Sequence, residues 1–138
     1  MSPLNGKPLV FVVDDEPIIA STLTMILSLY GLSAQSFTQP LLALQAARSN
    51  APDLLISDVV MPQLSGIELA IQVKEQCPDC KVLLLSGQVH NIEHARALGW
   101  DFEFLTKPVH PLALLKRIQS LIEVTPAIGP GGELRLGA

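Results

Sequence analysis

Long apolar runs, basic charge and cysteine are all scarce in this chain of 138 residues. The longest unbroken apolar runs, such as LVFVV at 9–13 and VLLL at 82–85, are far shorter than the about 20 residues a membrane-spanning helix needs. The N-terminal MSPLNGKPL has no apolar signal-peptide core. The expectation is a cytoplasmic protein without membrane association. Nine Lys and Arg against 13 Asp and Glu leave a formal net charge of -4. That lacks the basic footprint with which a domain grips phosphates, so no direct nucleic acid binding is expected of this segment. Charged residues are only 16% and apolar residues 49%, a balance that excludes disorder and describes a packed domain. One domain of this size buries roughly two-thirds of the surface of its unfolded chain and needs no staples.

The two cysteines, Cys77 and Cys80, stand in CPDC. A thioredoxin-like pair opens a helix after a strand, whereas this one follows a helical pattern and precedes an apolar run. A zinc site would need two more ligands, and no second pair exists. Two reduced thiols in a loop are expected. His90 and His94 have the i, i+4 spacing of a helical zinc pair, but the glutamate of HExxH is absent and position 91 is Asn.

What the chain does have is alternation. Short apolar runs at 9–13, 54–57, 81–85 and 102–105 read as strands, and 33–37 as a short, weak one. Between and after them lie helical patterns. The first starts near Pro17 and is stopped by Gly31. The others cover 40–48, 67–76, 92–98 (stopped by Gly99) and 110–123. Ile18, Ile19, Leu23, Ile26 and Leu27 form the apolar stripe of the first helix. Leu112, Leu115, Ile118, Leu121 and Ile122 are expected on the buried side of the last. Five strands alternating with five helices define a doubly wound (βα)5 domain, with right-handed crossovers and a parallel sheet covered on both faces. The flavodoxin-like order 2-1-3-4-5 is the expected solution for five strands, an order drawn in part from the resemblance below. Residues 8–124 form this domain. Residues 125–138, with two prolines and four glycines and no periodicity, read as a flexible tail or the start of a linker.

The polar interruptions of this apolar chain share one topological place. Asp14 and Asp15 follow the first strand, Asp58 the third, Ser86 the fourth and Lys107 the fifth. In a parallel sheet those strand ends share one edge, where ligands bind. Three converging carboxylates repel unless a cation joins them, and Mg2+ suits a site shared by few carboxylates and a phosphate. Lys107 adds a compact cation and Ser86 a donor. The set suits phosphoryl transfer to Asp58. Each residue also has a plain local reading: Asp14 and Asp15 as helix caps, Asp58 in a turn, Lys107 solvated. Their joint occurrence at four strand ends argues for a site.

FVVDDEP, LLISDVVMPQLSG, VLLLSG and FLTKP resemble the four signature blocks of response-regulator receiver domains of the CheY-like superfamily, in the right order. The resemblance spans about residues 8–124. It implies that Asp14 and Asp15 bind Mg2+, Asp15 more directly, and that Asp58 is phosphorylated and touches the metal. The backbone carbonyl of Val60 would be the third protein ligand. Ser86 would turn to the phosphoryl group, and Lys107 would pair with Asp58 before transfer and with the phosphate after it. Phe104 matches the switch aromatic, and Pro108 a proline after a cis peptide bond. Val60 and Gln88 flank the phosphoryl group and tune its hydrolysis. Trp100 stands where small residues are common.

The implied function is a phosphorylation-dependent switch of a two-component system or phosphorelay, not a turnover enzyme. A histidine kinase or phosphotransfer protein would supply the phosphoryl group. Output would run through the face made by the fourth helix, fifth strand and fifth helix, to a downstream protein or a fused output domain. Some receivers also dimerise through that face. Two other activities fit less well. A phosphatase using an aspartyl-phosphate would need an acid where Val60 stands. A flavin carrier would need a phosphate loop where Asp14, Asp15 and Glu16 stand. A degenerate receiver acting only as an interaction module would not need the acceptor-site residues, which are all present.

Overall fold

The computed structural model describes residues 6–88 and 90–122. Ten elements alternate: β1 (Leu9–Val13), α1 (Pro17–Leu29), β2 (Ser33–Phe37), α2 (Pro40–Ser49), β3 (Leu54–Asp58), α3 (Gly66–Gln76), β4 (Lys81–Ser86), α4 (His90–Ala97), β5 (Glu103–Thr106) and α5 (Pro111–Leu121). The strands form one sheet in the order β2-β1-β3-β4-β5, every pair parallel. This is the expected flavodoxin-like α/β architecture.

The sheet divides the core in two because successive strand residues face opposite sides. Phe11, Val13, Leu55 and Leu84 point to α2 and α3, with Ala95 of α4. Val10, Val12, Leu54, Ile56, Leu83 and Leu85 point to α1 and α5. β1 and β3 are buried along their whole length, as strands covered on both faces require; this is why β1 is an unbroken apolar run and β3 begins as one. The edge strands β2 and β5 are half-exposed.

Local chemistry sets the helix ends. Proline opens α1, α2 and α5, where its missing N–H costs nothing. Ser65 and Glu68 form a reciprocal capping box at α3. Gly31, at φ 88°, takes the left-handed turn that ends α1. His110, expected inside the last helix, is instead its cap: its Nδ1 accepts from the Leu112 N–H at 3.1 Å. α4 begins two residues earlier than expected, and β5 is shifted by one. Glu123 and the expected tail at 125–138 lie outside the described residues.

The apolar stripes of α1 and α5 are corrected at their first turns. Ile18 is 78% exposed and Leu112 60%, while Leu114 joins Leu115 and Ile118 in the core. Both first turns adjoin the strand ends, where the sheet offers little surface to cover a side chain. Periodicity alone does not show where the sheet stops. Cys77 and Cys80 are free thiols, but buried ones. Burial, then the neighbouring Cys77, pushes the Cys80 thiol up to about 12, so it packs as a small apolar group. Trp100 stacks on Phe102, with ring centroids 5.2 Å apart. No helix among the described residues is long and apolar enough to cross a membrane.

Candidate functional site

Strand register assembles the site. Val13 pairs with Ser57, so the next residues, Asp14 and Asp58, meet where β1 and β3 end. Ser86 pairs with Thr106, which brings Lys107 to the end of β4. There the Lys107 N–H donates to the Ser86 carbonyl at 2.9 Å. Asp14, Asp15 and Asp58 each offer a carboxylate oxygen within 4.8 Å of the others, the only such acidic or metal-ligating group among the described residues. The structure thus brings together the three acids and Lys107, as their strand-end positions imply.

Asp14 is 2% exposed and Asp58 9%. Asp14 Oδ1 accepts from the Glu16 N–H at 2.9 Å, but Glu16 is itself the N-cap of α1 and no side chain caps that helix, so the plain capping reading does not hold. Its other oxygen, Oδ2, is buried without a hydrogen-bond partner. Burial, then the charges of Asp58 and Asp15, holds the Asp14 carboxyl above its ordinary value, against the pull of the Glu16 N–H and of Lys107. A buried, unpartnered carboxylate oxygen among like charges is costly unless a cation completes it. Three hard oxygen donors fit a hard divalent cation, so the donor chemistry matches a metal site.

Lys107 Nζ stands 2.8 Å from Asp58 Oδ1. Burial alone would lower the Lys107 pKa, but the hydrogen bond and charge of Asp58, with Asp14 and Glu16, raise it above the ordinary value. The Lys107–Pro108 peptide is cis.

Ser86 faces elsewhere. Its Oγ accepts from the Gln88 N–H at 3.0 Å and from Asn91 Nδ2 at 2.7 Å. It donates to the Gln88 carbonyl at 3.0 Å. Gln88 thus meets Ser86 through its backbone. In the sequence Asn91 does no more than break a zinc pattern. Nothing in the sequence signals its contact, which crosses the β4–α4 loop. Phe104 is half-buried against the core. Its carbonyl accepts from Arg117 Nη1 at 3.0 Å, and that nitrogen also lies 3.0 Å from Glu103 Oε1, joining α5 to β5. The Val60 side chain is 66% exposed. His94 is exposed and belongs to no metal-ligating group among the described residues.

Gly66 is a second residue whose role only the structure shows. A Cβ there would collide with the backbone carbonyl of Asp58. That carbonyl also accepts from Ser57 Oγ at 2.8 Å, and the Gly66 N–H donates to the Val59 carbonyl at 2.8 Å. The start of α3 is therefore packed directly onto the backbone that carries Asp58.

A parallel α/β sheet with acids and a lysine converging at its strand ends defines a phosphoryl-accepting switch domain. Residues 10–119 match the family described as the response regulator receiver domain, and the chain belongs to that family. It is 30% identical over 142 residues to the probable transcriptional regulatory protein TcrX of Mycobacterium tuberculosis, covering 99% of this chain and 60% of that one. It is 32% identical over 132 residues to the transcriptional regulatory protein CreB of Escherichia coli, covering 93% and 57%. The chain thus spans little more than half the length of these curated relatives. Chemotaxis protein CheY4 of Vibrio cholerae superposes with a TM-score of 0.77 at 27% identity, over 85% of this chain and 100% of that one. The BeF3-activated DrrB receiver domain superposes at 0.73 with 26% identity, over 83% and 97%. The chain therefore carries the receiver domain of a phosphorylation-dependent response-regulator switch of two-component signalling.

Proposed function

We propose that this receiver accepts a phosphoryl group on Asp58 from the phosphohistidine of a kinase or phosphotransfer protein, with Mg2+ as the metal. A carboxylate oxygen of Asp58 attacks phosphorus while the P–N bond breaks. The bond's electron pair returns to the imidazole nitrogen, and Asp58 becomes an acyl phosphate. Lys107, held at 2.8 Å, screens the approach of one anion to another and then follows the charge onto the phosphoryl oxygens. Asp14, Asp15, Asp58 and the Val60 carbonyl would hold Mg2+, which when bound offsets the crowded negative charge. The observation that carries this reading is the buried, partnerless Oδ2 of Asp14 beside the Asp58–Lys107 pair.

Residues 8–124 act as the receiver and 125–138 as a tail or linker, in a cytoplasmic protein. Ser86 and Phe104 carry the change to the face of α4, β5 and α5. That face addresses a downstream protein, a fused output domain or a second copy. The longer relatives named as transcriptional regulators support a receiver that governs a further module.

The test is incubation with acetyl phosphate, with and without Mg2+, read by intact mass beside Asp58→Asn. Gain of one phosphoryl group that needs both Mg2+ and Asp58 is expected. A gain retained in Asp58→Asn would show that the acceptor is another residue. No gain, repeated with a phosphorylated kinase as donor, would favour a receiver that acts only as an interaction module.

A further inference from the structure

We infer that Asn91 is a positioning residue that latches Ser86 in its unphosphorylated arrangement and ties that arrangement to α4; this rests on the reading of Asp58 as acceptor. A serine hydroxyl has one donor and two acceptor lone pairs. All three are spent here. The O–H goes to the Gln88 carbonyl at 3.0 Å, and the lone pairs receive the Gln88 N–H at 3.0 Å and Asn91 Nδ2 at 2.7 Å. In this arrangement Ser86 has nothing left with which to bond a phosphoryl oxygen. Turning towards Asp58 requires it to break these bonds.

The contacts differ in what they report. Both Gln88 bonds are local backbone contacts two residues away. The Asn91 bond is the shortest, and it alone comes from a side chain in the first turn of α4. Release of Ser86 is therefore felt by α4 through the Asn91 amide. Asn91 is half-buried, so once released its amide can bond water. The bond favours the unphosphorylated state without blocking the other, as a population switch requires. Removing it should shift the balance by about two- to tenfold, the span of one ordinary hydrogen bond.

Beryllofluoride with Mg2+ serves as the phosphoryl mimic, titrated by calorimetry and by amide NMR of α4 in the full chain. The variants are Asn91→Ala, the similarly shaped but donor-free Asn91→Leu, Ser86→Ala and the double variant Asn91→Ala with Ser86→Ala. The latch predicts about two- to tenfold tighter binding for both single Asn91 variants. It also predicts α4 amides moved part-way to their bound positions before any mimic is added. In the Ser86→Ala background the Asn91 substitution should change nothing. Unchanged or weaker binding in both Asn91 variants overturns the latch, as does an equal gain in the Ser86→Ala background. No response in the wild type would overturn the acceptor reading as well; a wild-type response lost in Asp58→Asn separates the two failures.

Discussion

Lys107 Nζ and Asp58 Oδ1 stand 2.8 Å apart although their strands are not neighbours: β4 lies between β3 and β5. The pair closes over the end of β4, where the Lys107 N–H also holds the Ser86 carbonyl. A change of charge at Asp58 therefore reaches three strands through one lysine.

That pair gives an alkaline signature. The Lys107 pKa is raised above its ordinary value of 10.5 in the folded protein. Its stabilisation is fully present below 10.5 and is lost as pH rises through the higher folded value. Lys107 is part-exposed, so the pair contributes about 1 kcal/mol or less. Thermal unfolding of Lys107→Gln should be less stable than wild type at neutral pH, and the gap should close on the alkaline side. A gap that does not change with pH would refute the pairing as its cause. Phosphorylation by acetyl phosphate should slow in the same variant.

Asp14 should trade stability for function. Its pKa is raised on folding, so its contribution is favourable only at acid pH and declines as pH rises from its ordinary 3.8 through the folded value. At neutral pH without metal the buried Oδ2 is a liability. Asp14→Asn should raise metal-free stability by about 1 kcal/mol, or about 4 °C in Tm, and weaken stabilisation by Mg2+. Lower metal-free stability in this variant would contradict the account of the acidic cluster.

Gly66→Ala should be costly for a reason remote from its own helix. The added methyl meets the Asp58 carbonyl, so overpacking of about 1–3 kcal/mol is expected together with slower phosphoryl uptake. Gly87→Ala, with open space around its Cβ, is the stability control. Equal unfolding midpoints for the two variants would remove the packing argument.

Val60 should make the phosphorylated form long-lived. Its exposed apolar side chain has no atom with which to position an attacking water. The acyl phosphate should outlast seconds in the absence of a phosphatase, and Val60→Asn should shorten its life several-fold. A wild-type lifetime of seconds would count against this role, as would an Asn variant that hydrolyses at the wild-type rate.

Much of the molecule was legible in the chain. Apolar runs such as LVFVV marked the central strands, prolines 17 and 40 opened helices, and Gly31 closed one. The acids and Lys107 stood out because each interrupts an apolar pattern where a strand ends. Less legible were the first turns of α1 and α5, where Ile18 and Leu112 keep the helical period but are exposed. Gly66 and Asn91 each stand one residue before an expected helix, at 67–76 and 92–98, so the helical pattern assigned neither a role.

The sequence by itself determined the alternation of strands and helices and the placing of Asp14, Asp15, Asp58, Ser86 and Lys107 at strand ends. Those are matters of neighbours a few residues apart: period, caps and breakers. Only the tertiary structure decided that Lys107 reaches Asp58 over β4, that one oxygen of Asp14 is left without a partner, and that Ser86 is held by Asn91. Such distances depend on strand order, register and the packing of side chains far apart in the chain, which no local pattern records.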